Sequence, residues 1–116
     1  IDDEKDLVEI GGRLLASLGY HVVSTTSSLE ALEIFRTDPS GFDLVISDQT
    51  MPNLTGLQLA GQLRQIRPDL PVILCTGFSE NIDEMNFKAQ GVSDFLMKPI
   101  GRKKMARVIR NVLDRK

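Results

Sequence analysis

Asp43-Leu44-Val45-Ile46-Ser47-Asp48 decides the fold. The run is almost continuously apolar, has the length of one strand, and ends in a carboxylate. A strand with one wet face alternates apolar and polar residues; a run that stays apolar belongs to a strand covered on both faces. Pro39 and Gly41 punctuate the chain before it, and Pro52 and Gly56 follow it. Pro71-Val72-Ile73-Leu74-Cys75-Thr76 repeats the pattern, and Phe95-Leu96-Met97 is a shorter strand of the same kind.

Helical spacing fills the intervals. Leu7, Ile10, Leu14 and Leu18 share one face of a first helix, with Gly19 as its stop. His21-Val22-Val23-Ser24-Thr25 reads as a strand. Ser27 or Ser28 caps the next helix, whose face is Leu29, Leu32 and Phe35. Thr55 caps a third helix through Leu59, Leu63 and Ile66. A polar fourth helix is expected from about Ser79 to Gln90, before Gly91, and Met105, Val108, Ile109 and Val112 mark a fifth. Strands alternating with helices imply an α/β fold, a doubly wound five-stranded parallel sheet with helices on both faces, of the flavodoxin-like kind. One element is out of pattern: only Ile1-Asp2-Asp3 precedes the first helix, so the first strand of this sheet is expected to be missing or truncated in the chain as given.

The chain has 116 residues, which fits one domain over 1–116. Charged residues make up 26 % and the net charge is −2, which argues against a nucleic-acid binder. No apolar run approaches the ~18 residues of a membrane span. The single cysteine, Cys75, lies in an apolar strand and excludes an internal disulfide; a cytoplasmic setting is the expectation. Five acids fall in the first nine residues and seven of the fourteen basic residues in the last fifteen. Their plainest reading is solvated faces with acids near a helix start and bases near a helix end. His21, the one histidine, reads as a surface residue at a strand start.

In open parallel sheets, sites form beyond the C-terminal ends of the strands. Asp2 and Asp3 sit where the first strand would end, Asp48 ends the third, Thr76 the fourth, and Lys98 follows the fifth. Crowded carboxylates repel and need a compensating cation. Lys98 supplies one charge, and a divalent metal supplies two more. Magnesium suits such a set, because it takes a few carboxylates and keeps several waters.

Asp2-Asp3-Glu4, Asp48-x-x-Met51-Pro52-x-x-x-Gly56, Thr76-Gly77 and Phe95-Leu96-x-Lys98-Pro99 follow one another in order. Each is weak alone. Together, at strand ends, they resemble the motif series of the receiver domains of two-component response regulators, over the whole chain from Asp2 onward. The resemblance implies that Asp48 is the phosphoacceptor. It implies that Asp3 binds Mg²⁺ (or Mn²⁺) directly, that Asp2 does so through water, and that the Thr50 backbone carbonyl is a further metal contact beside Asp48. Lys98 matches the cation that holds Asp48 and then a phosphoryl oxygen. Thr76 matches the switch hydroxyl and Phe95 the aromatic switch, where many relatives carry tyrosine. Pro99 matches a residue whose preceding peptide bond is often cis.

Such a domain takes its phosphoryl group from a histidine kinase or its phosphotransfer domain. It signals to an output domain or partner protein through the face of the fourth helix, fifth strand and fifth helix. It catalyses its own phosphorylation and dephosphorylation and has no separate turnover substrate. Homodimerisation on activation fits the same scheme, with no direct nucleic-acid or membrane contact. The parent is a stand-alone receiver, a longer regulator or a hybrid kinase. Two alternatives are weighed against this. A dehalogenase-like phosphatase wants a second aspartate two positions after the nucleophile, where this chain has Thr50. An atypical receiver, acting only as an interaction module, usually lacks a key acid or the lysine.

Overall fold

The computed structural model describes residues 1–76, 92–97 and 101–114. The expected fourth helix, the loop at Gly77-Phe78-Ser79, and Lys98 and Pro99 lie outside the described residues. The others form α1 (Lys5–Ser17), α2 (Ser28–Thr37), a 3₁₀ turn (Pro39–Gly41), β1 (Val45–Asp48), α3 (Gly56–Ile66), β2 (Val72–Thr76), β3 (Asp94–Met97) and α4 (Arg102–Asp114).

Hydroxyl caps set two of the helix starts. The Ser27 side chain accepts from the Glu30 N–H at 3.2 Å, so Ser27 and not Ser28 caps α2. Thr55 caps α3 as expected, and Gln58 completes a capping box by accepting from the Thr55 N–H at 3.0 Å.

The three strands form a parallel sheet in the order β1-β2-β3. Val45 pairs with Val72 and Asp48 with Cys75; Leu74 pairs with Phe95 and Thr76 with Met97. Every residue of β2 is buried, because both faces of the sheet are covered. Val72 and Leu74 join Leu32, Phe35, Leu59 and Leu63 in a core under α2 and α3. Ile73 and Cys75 join Leu96, Met105 and Ile109 in a second core, against which Leu14 and Leu15 of α1 pack. The alternation along β2 is the period-two geometry of a strand. Helices on both faces of a parallel sheet are the architecture the sequence implies. No described helix is long and apolar enough to cross a membrane.

Two expectations are corrected. The strand expected at His21–Thr25 does not form among the described residues. A strand exists only through its partner, and the space between this segment and β1 is a cleft of about 1110 Å³ lined by Leu7, Leu14, Val22, Phe35, Val45 and Ile46, among others. Only the end of that cleft is bridged: the Ile1 amine donates to the Ile46 carbonyl at 2.7 Å, the Asp48 N–H to the Ile1 carbonyl at 2.7 Å, and the Asp2 N–H to the Thr25 carbonyl at 3.4 Å. Ile1 and Asp2 thus lie between the two segments as the last rungs of a central strand would. The apolar face of α1 consequently has no buried residue, and Ile10 is 61 % exposed.

The second correction concerns charge. Asp6 does lie in the first turn of α1, where an acid is favourable. The bases Arg102, Lys103 and Lys104, however, form the first turn of α4, where the helix dipole disfavours them. The first helical hydrogen bond is already made there: Met105, the first buried residue of α4, donates its N–H to the Gly101 carbonyl at 3.0 Å.

Candidate functional site

Asp48 is the last residue of β1 and is buried, 7 % exposed. Its place follows from the strand: Ile46 and Asp48 are two apart and share a face, and the ladder with β2 ends beside them. Asp2 and Asp3 come to the same point because Ile1 is hydrogen-bonded to Ile46 and Asp48. One carboxylate oxygen each from Asp2, Asp3 and Asp48 lie within 4.8 Å of one another. Asp2 is half-buried and Asp3 exposed. The Asp2 carboxylate also accepts the Glu4 N–H at 3.0 Å, which steadies it at the start of α1.

The electrostatics of this cluster are unfavourable by themselves. Like charges gathered this closely repel, and solvent screens the repulsion where exposed Asp3 is a member. Burial pushes the Ile1 amine below its ordinary value of 8.0; attraction to Cys75, Asp2 and Asp48 opposes that shift. The donor set is all oxygen and mostly carboxylate. That is the chemistry a hard divalent cation such as magnesium accepts, so the residues fit the metal the sequence implies.

The loop after Asp48 is tied down at several points. The Gln49 N–H donates to the Cys75 carbonyl at 3.0 Å. Its own carbonyl accepts the Gly56 N–H at 2.9 Å, and its side-chain Oε1 accepts the Leu57 N–H at 2.9 Å. Gln49 therefore ties the end of β1 to the first turn of α3. Thr50 is exposed, and Met51, next to it, is buried. Asn53 has φ 69°, a left-handed conformation that asparagine tolerates better than most residues.

Thr76 ends β2, one residue beyond the partner of Asp48, and is fully buried. Phe95 is half-buried on β3 and packs against the core beneath α2 and α3. The structure thus brings Asp2, Asp3 and Asp48 together, places Thr76 on the neighbouring strand end, and sets Phe95 one strand further on. Lys98, expected to complete the site, lies outside the described residues.

Sequence reasoning missed three supports. Gln49 carried no signal beyond its position. Thr25, buried, receives the Asp2 N–H on its carbonyl. Ser28, also buried, contacts the loop at Pro52 and Leu54. A signal for the last was present: two adjacent serines stood where one cap was needed.

Comparison with known proteins bears on the family and the fold. A family model described as the response regulator receiver domain matches residues 1–110. The chain is 35 % identical to the sensor kinase CckA of Brucella abortus over 97 % of its own length and 12 % of that protein. It is 33 % identical to the transcriptional regulatory protein GlrR of Escherichia coli over 98 % of its own length and 25 % of that protein. The chain therefore spans a quarter or less of these curated relatives. Among solved structures, a response regulator receiver domain protein from Clostridium thermocellum superposes with a TM-score of 0.93 at 30 % identity, covering 98 % of this chain and 90 % of that one.

Proposed function

The chain belongs to the response regulator receiver domain family, and from that premise we propose that residues 1–116 form one receiver unit whose Asp48 accepts a phosphoryl group. The observation that carries the reading is the convergence of Asp2, Asp3 and buried Asp48 at one strand end. Carboxylates gathered at the C-terminal end of a parallel strand are suited to hold a divalent cation, which supports a chemical role.

In the proposed step one Asp48 oxygen attacks the phosphorus of a phosphohistidine on a kinase or its phosphotransfer domain. The O–P bond forms as the P–N bond breaks. The electron pair stays on the imidazole nitrogen, which takes up a proton. Asp2, Asp3, Asp48 and the Thr50 carbonyl would hold Mg²⁺ or Mn²⁺. Bound there, the metal supplies positive charge to the carboxylates and the phosphoryl oxygens. Asp48 is the nucleophile. Thr76 donates its hydroxyl to the incoming phosphoryl group, Lys98 pairs with a phosphoryl oxygen, and Phe95 follows the movement of Thr76.

Phosphorylation adds about 1.5 to 2 negative charges at Asp48. The altered surface around β3 and α4 then engages an output domain or partner protein, in a cytoplasmic two-component pathway, with homodimerisation as one output. The parent protein is a stand-alone receiver, a longer regulator or a hybrid kinase; its relatives include a sensor kinase and a transcriptional regulatory protein.

The test is intact mass after incubation with acetyl phosphate and magnesium, beside Asp48→Asn and a metal-free control. One added phosphoryl group, absent from both controls, supports the reading. No gain in a folded protein favours an interaction module that is not phosphorylated. A gain that survives Asp48→Asn means a different acceptor.

A further inference from the structure

Ser27 and Ser28 stand side by side, and Ser27 alone does the capping of α2. Ser28 is 3 % exposed and uses its hydroxyl across the fold. It donates to the Pro52 carbonyl at 3.2 Å and accepts from the Leu54 N–H at 3.4 Å. Leu54 N–H also reaches the Pro52 carbonyl at 2.9 Å, so the chain turns tightly around Asn53, whose φ is 69°. One hydroxyl thus spans both ends of that turn, as donor at one and acceptor at the other. A left-handed non-glycine residue persists only where its surroundings hold it.

The position of this turn matters. The loop leaves β1 at Asp48 and is anchored in the core by Met51, which is 7 % exposed. Thr50 lies between those points. On the far side the loop is fixed to α3 through the Gly56 N–H and the Gln49 carbonyl at 2.9 Å. Ser28 adds an anchor from α2, an element that contributes no acid to the cluster. The same stretch braces the other side of the site. Thr25 Oγ1 accepts the Ser27 N–H at 3.2 Å, and the Thr25 carbonyl receives the Asp2 N–H at 3.4 Å. Residues 25–28 therefore touch both the Asp2 backbone and the loop after Asp48.

We infer that Ser28 is a positioning residue: by clamping the Pro52–Leu54 turn it fixes the loop that leaves Asp48 beside the Asp2–Asp3–Asp48 cluster, and so sets the affinity of the site for a divalent cation. The inference rests on the metal-dependent reading of the site given above. Groups that orient metal ligands from behind typically change metal affinity by about 10- to 100-fold when removed. A loop steadied from a neighbouring helix belongs at the lower end, about tenfold.

The experiment is a calorimetric or NMR titration with MgCl₂ of the wild type, Ser28→Ala, Ser28→Cys and Ser28→Thr. Each protein is also assayed for phosphoryl gain from acetyl phosphate at low and saturating magnesium. Ser28→Ala should bind magnesium about tenfold more weakly and gain phosphoryl groups slowly at low magnesium, recovering at saturation. Ser28→Thr, which keeps the hydroxyl, should restore affinity. Ser28→Cys, close in size with a weaker donor, should fall between and serves if the alanine variant does not fold. Lower thermal stability with unchanged magnesium affinity would assign Ser28 a purely structural role and overturn the inference alone. A wild type that takes neither magnesium nor a phosphoryl group overturns the underlying reading, and this inference with it.

Discussion

The backbone carbonyl of Asp48 lies against the α-carbon of Gly56, so close that a β-carbon on residue 56 would collide with it. The same β-carbon would come within 2.8 Å of Leu74 Cδ2. Neither neighbour yields cheaply, since one is strand backbone and the other a fully buried core side chain. Gly56 is thus required by a close approach, and its N–H, bound to the Gln49 carbonyl, closes the same loop.

Gly56→Ala is expected to destabilise the fold by about 1–3 kcal/mol, the usual range for overpacking. It should also shift the end of β1 and lower the rate of phosphoryl gain at Asp48. Urea unfolding and intact mass on the same sample check both. Wild-type stability in this variant would mean that the sheet end is looser than the contacts indicate.

Asp48→Asn removes one of three neighbouring carboxylates. Magnesium should therefore stabilise the variant less than the wild type at equal concentration, because one charge that attracts the cation is gone. Urea midpoints in EDTA and in MgCl₂ measure this. An equal gain in both proteins would remove Asp48 from the groups that hold the cation.

Added magnesium should stabilise the wild type by mass action, by about 2.7 kcal/mol at 100 times its dissociation constant. EDTA should reverse the gain, and Asp3→Asn should shift the response to higher magnesium. Thermal midpoints across a MgCl₂ series, with NaCl matched for ionic strength, are the measurement. Equal stabilisation by NaCl would reduce the effect to screening.

The cleft between residues 22–25 and β1 is largely apolar and, among the described residues, is bridged at Ile1 and Asp2. Four apolar residues such as Val-Leu-Val-Val, joined to the Ile1 nitrogen, should fill it as a parallel strand. The junction would keep an N–H for the Ile46 carbonyl. Each buried side chain contributes roughly 1.5–3 kcal/mol before the ordering cost of about 1–2 kcal/mol per residue. The net gain is therefore a few kcal/mol, with slowed hydrogen exchange at residues 22–25. Gly-Ser-Gly-Ser at the same place should do neither. If both extensions act alike, the cleft is not a strand site.

Much of this protein was written locally. The apolar runs at residues 43–47 and 71–76 stated that their strands are covered on both faces, because burial of alternate side chains on opposite faces follows from strand geometry alone. Thr55 and Gln58 announced a capping box through a contact three residues apart. Asp48 and Thr76 could be placed at strand ends for the same reason.

What the sequence left open depends on partners distant along the chain. His21-Val22-Val23 has strand composition, yet a ladder needs a neighbour, and β1 lies across a cleft from it. Ser27 and Ser28 are chemically identical; Ser27 faces its own helix start while Ser28 meets Pro52, 24 residues away. Arg102 to Lys104 looked like helix-end bases, and became a first turn because Met105 had to reach the core. Local pattern determined which elements form and which residues stand at their ends. Tertiary packing decided which backbone groups meet, since a contact between remote segments is set by the whole sheet and by neither segment alone.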